Sequence, residues 1–140
     1  MCNKCNKVFY SGTGVVDQTV AANAPIAINK VYSSGISDFG VNSFTISEAG
    51  FYLINFSASG APAAAGDVSV QLYLNGSAQD AYIATATSTG ATDSVNVDVN
   101  AIIRVDPTVC KFVDNSVTVS IVNVGAATIY SSASITCVRV

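Results

Sequence analysis

From Val15 onward, short apolar runs alternate with turn residues at spacings of about 8 to 15 residues, and no stretch holds a helical period of useful length. That rhythm predicts an all-β sandwich or jelly roll. The first strong element is Pro25-Ile26-Ala27-Ile28-Asn29-Lys30-Val31, followed by a loop through Ser33-Ser34-Gly35, a short strand at Ser43-Phe44-Thr45-Ile46 and a turn at Glu48-Ala49-Gly50. The next segment, Phe51 to Ala58, is apolar on both alternating faces: Tyr52, Ile54 and Phe56 on one, Phe51 and Leu53 on the other. Such a strand is buried twice. After a loop from Gly60 to Gly66, Val68 to Leu74 alternates cleanly, as a strand with one wet face does, and Asn75-Gly76 supplies a hairpin turn. Further strands are predicted at Tyr82 to Thr87, at Val95 to Val105 with Val95, Val97, Val99, Ala101 and Ile103 inward, at Val117 to Val124, and at Ser134 to Val140.

Composition agrees with this picture. The 20 Val and 11 Ile stand against 3 Leu, Glu occurs once and Lys four times, so helix-favouring residues are scarce. Half of the 140 residues are apolar, enough for one domain with a core of its own. Residues 1–24, with Cys2, Cys5 and the Ser11-Gly12-Thr13-Gly14 stretch, read as an N-terminal attachment arm and linker, and residues 25–140 as the head domain. No apolar run approaches the roughly 18 to 20 residues of a spanning helix, and Met1 to Lys7 lacks the apolar region of a secretory leader. With a net charge of −3 and no basic face, nucleic acid is not an expected partner, and neither is a membrane. Histidine is absent, which removes His-based triads, His-ligated zinc and His proton shuttles. So few charges also favour association over a solitary monomer.

Three segments carry a family resemblance: Ser43-Phe44-Thr45-Ile46-Ser47-Glu48-Ala49-Gly50-Phe51-Tyr52-Leu53-Ile54, then Leu72-Tyr73-Leu74-Asn75-Gly76-Ser77, and the ending from Gly125 to Val140. Their order resembles the globular head of the complement-type and tumour necrosis factor superfamily, and more closely the C-terminal domain of collagen-like exosporium glycoproteins and similar phage head-fibre domains. The resemblance covers about residues 25 to 140. It implies a ten-stranded jelly roll that assembles as a tight trimer with one sheet toward the three-fold axis. A doubly apolar strand at Phe51 to Ala58 fits that expectation, because one of its faces needs a cover. Tyr52, Ile54 and Phe56 are the residues expected at the trimer interface. The chain departs from the exosporium pattern in having no Gly-X-Y repeats upstream.

Little chemistry survives inspection. Cys2-x-x-Cys5 suits one half of a four-thiolate zinc site, but Cys110 and Cys137, with 26 residues between them, lack the spacing of the other half and read as small buried hydrophobes. Neither a metal nor a cofactor is therefore expected, and cross-linking or metal binding between arms is the alternative use of Cys2 and Cys5. The acidic residues are scattered, mostly beside turn residues, and pair into no acid/base device. Asp98, between Asn96 and Asn100, belongs to an outward polar stripe suited to solvent, a sugar or a neighbouring subunit. Among the tyrosines, Tyr73 is the candidate for ligand contact, since Leu72 and Leu74 beside it point inward.

The expected function is that of a non-enzymatic structural protein of a particle surface. The arm, through Cys2, Cys5, Phe9 and Tyr10, docks on an underlying capsid or other shell while a homotrimeric head projects outward. A bacteriophage virion, with the chain as head fibre or capsid decoration assembled in the cytoplasm without a signal peptide, is the expected particle. The alternatives are a spore-surface protein and a soluble module that binds a glycan or receptor.

Overall fold

Period-two burial runs along the long strands of the computed structural model, which describes residues 7–38, 42–107 and 114–140. Val95–Val105 (β10) is the clearest case: Val97, Val99, Ala101, Ile103 and Val105 are buried and the residues between them exposed. One apolar face per strand means that two sheets must close on each other. The first sheet runs β10, then Gly50–Pro62 (β7), Thr128–Arg139 (β12), Phe9–Gly14 (β1) and Ile28–Ser34 (β4), with Gln18–Val20 (β2) pairing β12. The second runs Ile36–Asp38 (β5), Phe44–Ile46 (β6), Val117–Asn123 (β11), Gly66–Leu74 (β8) and Ser77–Ser88 (β9), with Ala24–Pro25 (β3) pairing β11. All of these pairings are antiparallel, and the crossovers between sheets are those of a jelly roll. The described residues hold twelve strand segments where ten were expected, because β2 and β3, of three and two residues, add short pairings to β12 and β11.

Between the sheets lie Tyr10, Tyr52, Ile54, Phe56, Tyr130 and Ile135 from the first and Phe44, Ile46, Val68, Leu72 and Ile121 from the second, each at most 1% exposed. Burial of each large side chain contributes about 1.5–3 kcal/mol. Asn75 and Gly76, at φ 52° and 79°, form the tight hairpin between β8 and β9 that the sequence predicts. The wet face of β8 is narrower than expected. Ser69 is only 7% exposed because the turn after β11 lies against it, with the amides of Val124 and Gly125 both donating to the Ser69 carbonyl.

The boundary between arm and head is corrected. β1 lies inside the first sheet, paired with β12 on one side and β4 on the other, and Val8, Tyr10 and Val20 belong to the core. The Gln18 side chain ties this segment down further, donating to the Ala27 carbonyl at 2.9 Å and accepting from the Ala27 amide at 2.8 Å. Gly12 and Gly14 read as a linker because glycine commonly marks flexibility. Here they mark close packing: a Cβ on Gly12 would stand 2.6 Å from Ile28 Cγ2, and one on Gly14 2.6 Å from Ala133 Cβ. Gly12→Val is therefore expected to destabilise the head by about 1–3 kcal/mol through overpacking. Urea unfolding at fixed protein concentration checks this, and an unchanged midpoint would contradict the packed position of β1.

Candidate functional site

Where the first sheet turns away from the core, its pairing register sets residues from distant parts of the chain in rows. Ile102, Leu53, Val138 and Phe9 stand side by side on β10, β7, β12 and β1. Phe51, paired with Arg104, and Val140, whose amide donates to the Phe51 carbonyl, extend this apolar end. Exposures of 52% for Phe51, 57% for Ile102, 47% for Val138 and 75% for Val140 make it a continuous wet apolar patch. A cleft of about 610 Å³ lined by Lys7, Val8, Phe9, Val138, Arg139 and Val140 opens at its margin.

The next row is Asn100, Asn55, Thr136, Ser11 and Tyr32, and the one after it Asp98, Ser57, Ser134, Thr13 and Asn29. Asn96, Ser59 and Ser132 follow, with the Ser59 hydroxyl donating to Asn96 Oδ1. From the Ile102 row through the Asn96 row, Asp98 is the one charged residue, whereas ionic groups gather at the apolar end. There Arg104 pairs with Asp106 at 2.7 Å and Arg139 with Glu48 at 3.3 Å. The face thus carries an apolar zone, a neutral hydroxyl and amide zone and a charged margin.

The structure redistributes the residues singled out in the sequence. Tyr52, Ile54 and Phe56, expected at the trimer interface, are 0–1% exposed and point between the sheets, so that assignment is corrected. β7 presents Phe51, Leu53, Asn55 and Ser57 outward instead. Tyr10, expected to help dock the arm, is stacked on Phe44 in the core at 4.3 Å between ring centroids and cannot reach a shell protein. Phe9, its neighbour, does lie on the exposed face. Cys2, Cys5 and Cys110 fall outside the described residues. Tyr73 is half-buried on the second sheet, opposite Ala78 and Ser120, away from the face above. Asp98 and its Asn neighbours join that face, the stripe that sequence reasoning left open among solvent, sugar and subunit. Among the described residues no three His, Cys, Asp or Glu side chains come together.

Burial holds several core groups in their neutral forms. It pushes Tyr130 and Cys137 up to about 12, and Tyr10 also to about 12 with a smaller contribution from the Asp38 carboxylate. The unfolded chain releases these protons from about pH 9–10 upward while the native head keeps them. Stability is thus complete below pH 9 and falls as pH rises toward 12. Thermal unfolding at pH 8, 10 and 11 is expected to give steadily lower midpoints over that window, and a flat profile would contradict the burial.

No protein-family model and no curated sequence matches the chain. Solved structures do. The chain is similar to Eiger TNF from S. frugiperda, with a TM-score of 0.74 at 12% identity over 96% of this chain and 93% of that one. It is similar to the globular domain of zebrafish complement 1qA protein, with a TM-score of 0.69 at 15% identity over 96% and 97%. It is also similar to the PRD1 vertex protein P5, with a TM-score of 0.59 at 13% identity over 96% and 97%. The fold is a jelly roll of the tumour necrosis factor and complement type. Because these matches take in 96% of the chain, they include strands before residue 25, in keeping with β1 inside the head.

Proposed function

We propose that this jelly roll is a non-enzymatic structural component of a particle surface, assembled as a homotrimer through the exposed face of the first sheet. The observation that carries the proposal is that face: four rows with one charge among them, ending in the apolar patch of Phe51, Leu53, Ile102, Val138 and Val140. Exposed, such a patch promotes association, and a strand-built face repeated in each copy suits a closed ring. The particle we propose is a virion, with the chain as head fibre or decoration protein. Likeness of fold to a vertex protein supports that choice.

Light scattering coupled to size exclusion tests the assembly. The expected mass is three times the 14.3 kDa of the chain, and a monomer at all concentrations would overturn it. Immunogold labelling of purified virions tests the location. Gold on the particle surface is expected, and label confined to unassembled protein would reject a virion role.

A further inference from the structure

A ring closed by pure rotation about an axis along the strands brings one edge of each face against the opposite edge of the next copy at equal height. Residues that share a row at the two edges therefore meet across the joint. The edges of this face differ in shape. At the β4 edge Tyr32 stands out, 70% exposed. At the β10 edge lies a notch of about 340 Å³ lined by Leu53, Tyr82, Asn100, Ala101 and Ile102. Tyr32 and Asn100 occupy the same row, linked through Asn55, Thr136 and Ser11.

We infer that Tyr32 of each copy seats in the β10 notch of the next, so that knob and notch set the register of the ring. This inference rests on the self-assembly proposed above. The notch suits a phenol: Leu53, Ile102 and the Tyr82 ring supply apolar walls, and the Asn100 amide offers the hydroxyl a partner at the rim. Tyr82 is already fixed, its hydroxyl donating to the Ile102 carbonyl at 3.2 Å, so the wall is in place before docking. A buried aromatic anchor in a preformed pocket is a common source of both affinity and register.

The test uses the full chain with Tyr32 replaced by the photo-crosslinking residue p-benzoylphenylalanine, mixed as isotope-labelled and unlabelled copies. Irradiation is expected to join position 32 of one copy to the segment 100–102 or to Tyr82 of another. Cross-links to the outer face of the second sheet, or within one copy only, would overturn the inference. In parallel, Tyr32→Ala is expected to weaken the ring roughly thirtyfold or more without changing the thermal unfolding of the monomer. An assembled ring indifferent to Tyr32→Ala rejects the knob and leaves the trimer standing. An unaltered chain that is monomeric throughout rejects both.

Discussion

Tyr52→Asp and Leu53→Asp, one residue apart on the same strand, are expected to fail in opposite ways. Tyr52 is fully buried, and its hydroxyl donates to the Glu48 carbonyl at 2.7 Å. Aspartate there replaces a packed ring with a cavity and a short carboxylate withdrawn from water, and loss of a large core side chain costs about 3–5 kcal/mol even with the Arg139 side chain near the Tyr52 hydroxyl. Against a total stability of about 5–15 kcal/mol, that is enough to unfold most molecules. Leu53 faces outward between Ile102 and Val138. Its replacement by Asp leaves the core intact and places a charge in the centre of the apolar row. The expected product is a folded head that elutes as a monomer. Circular dichroism and light scattering on both variants read the two outcomes separately. A folded Tyr52→Asp would invalidate the sandwich core, and a trimeric Leu53→Asp would remove the exposed face from the assembly.

Replacing Asn123 by Ala is expected to cost about 3–5 kcal/mol, more than any surface change in the head. Asn123 ends β11 and is fully buried. Its Nδ2 lies 3.1 Å from the Val20 carbonyl, 3.3 Å from that of Ala21 and 3.0 Å from that of Ala126. Its Oδ1 accepts from the buried Tyr130 hydroxyl at 2.9 Å. One amide therefore ties the end of β2, the turn before β12 and β12 itself to the second sheet. With the amide gone, the Tyr130 hydroxyl and the facing carbonyls lose their partner where water is excluded. Tyr130→Phe, which removes a single hydrogen bond, is expected to cost about 1–2 kcal/mol. Denaturant unfolding at one fixed subunit concentration compares the two, since self-assembly makes apparent stability depend on concentration. Equal losses for both variants would show that the amide does not join the three segments.

Alternation was legible wherever one face of a strand is polar. Asn96, Asp98 and Asn100 mark the outward side of β10, which turns Val97, Val99 and Ala101 inward with Ile103 continuing the alternation, and all four are buried. The Asn75-Gly76 turn was equally readable, because few dipeptides accept positive φ at two successive positions. In β7 the same reasoning had nothing to work with. Both faces of its first half are apolar, so period two divides Tyr52, Ile54 and Phe56 from Phe51 and Leu53 without saying which set meets the other sheet. The adjacent strands settle it: β7 pairs β10 with Ile54 beside Ala101, whose side is inward.

β1 was hidden for a different reason. Gly12 and Gly14 carry no hydrophobic signal, and their role depends on the Ile28 and Ala133 side chains that press against them. The exposed face is least local of all. Phe9, Leu53, Ile102 and Val138 are spread along nearly the whole chain, and each alone resembles an ordinary surface apolar residue. The sequence by itself determined the all-β class, the position of most strands and the inward side of those with one polar face, because these follow from local periodicity and turn chemistry. Only the tertiary structure decided that the N-terminal segment is a strand of the head, which side of β7 is core and which residues share a face. Those depend on strand order and register, which arise from long-range pairing that no local window contains.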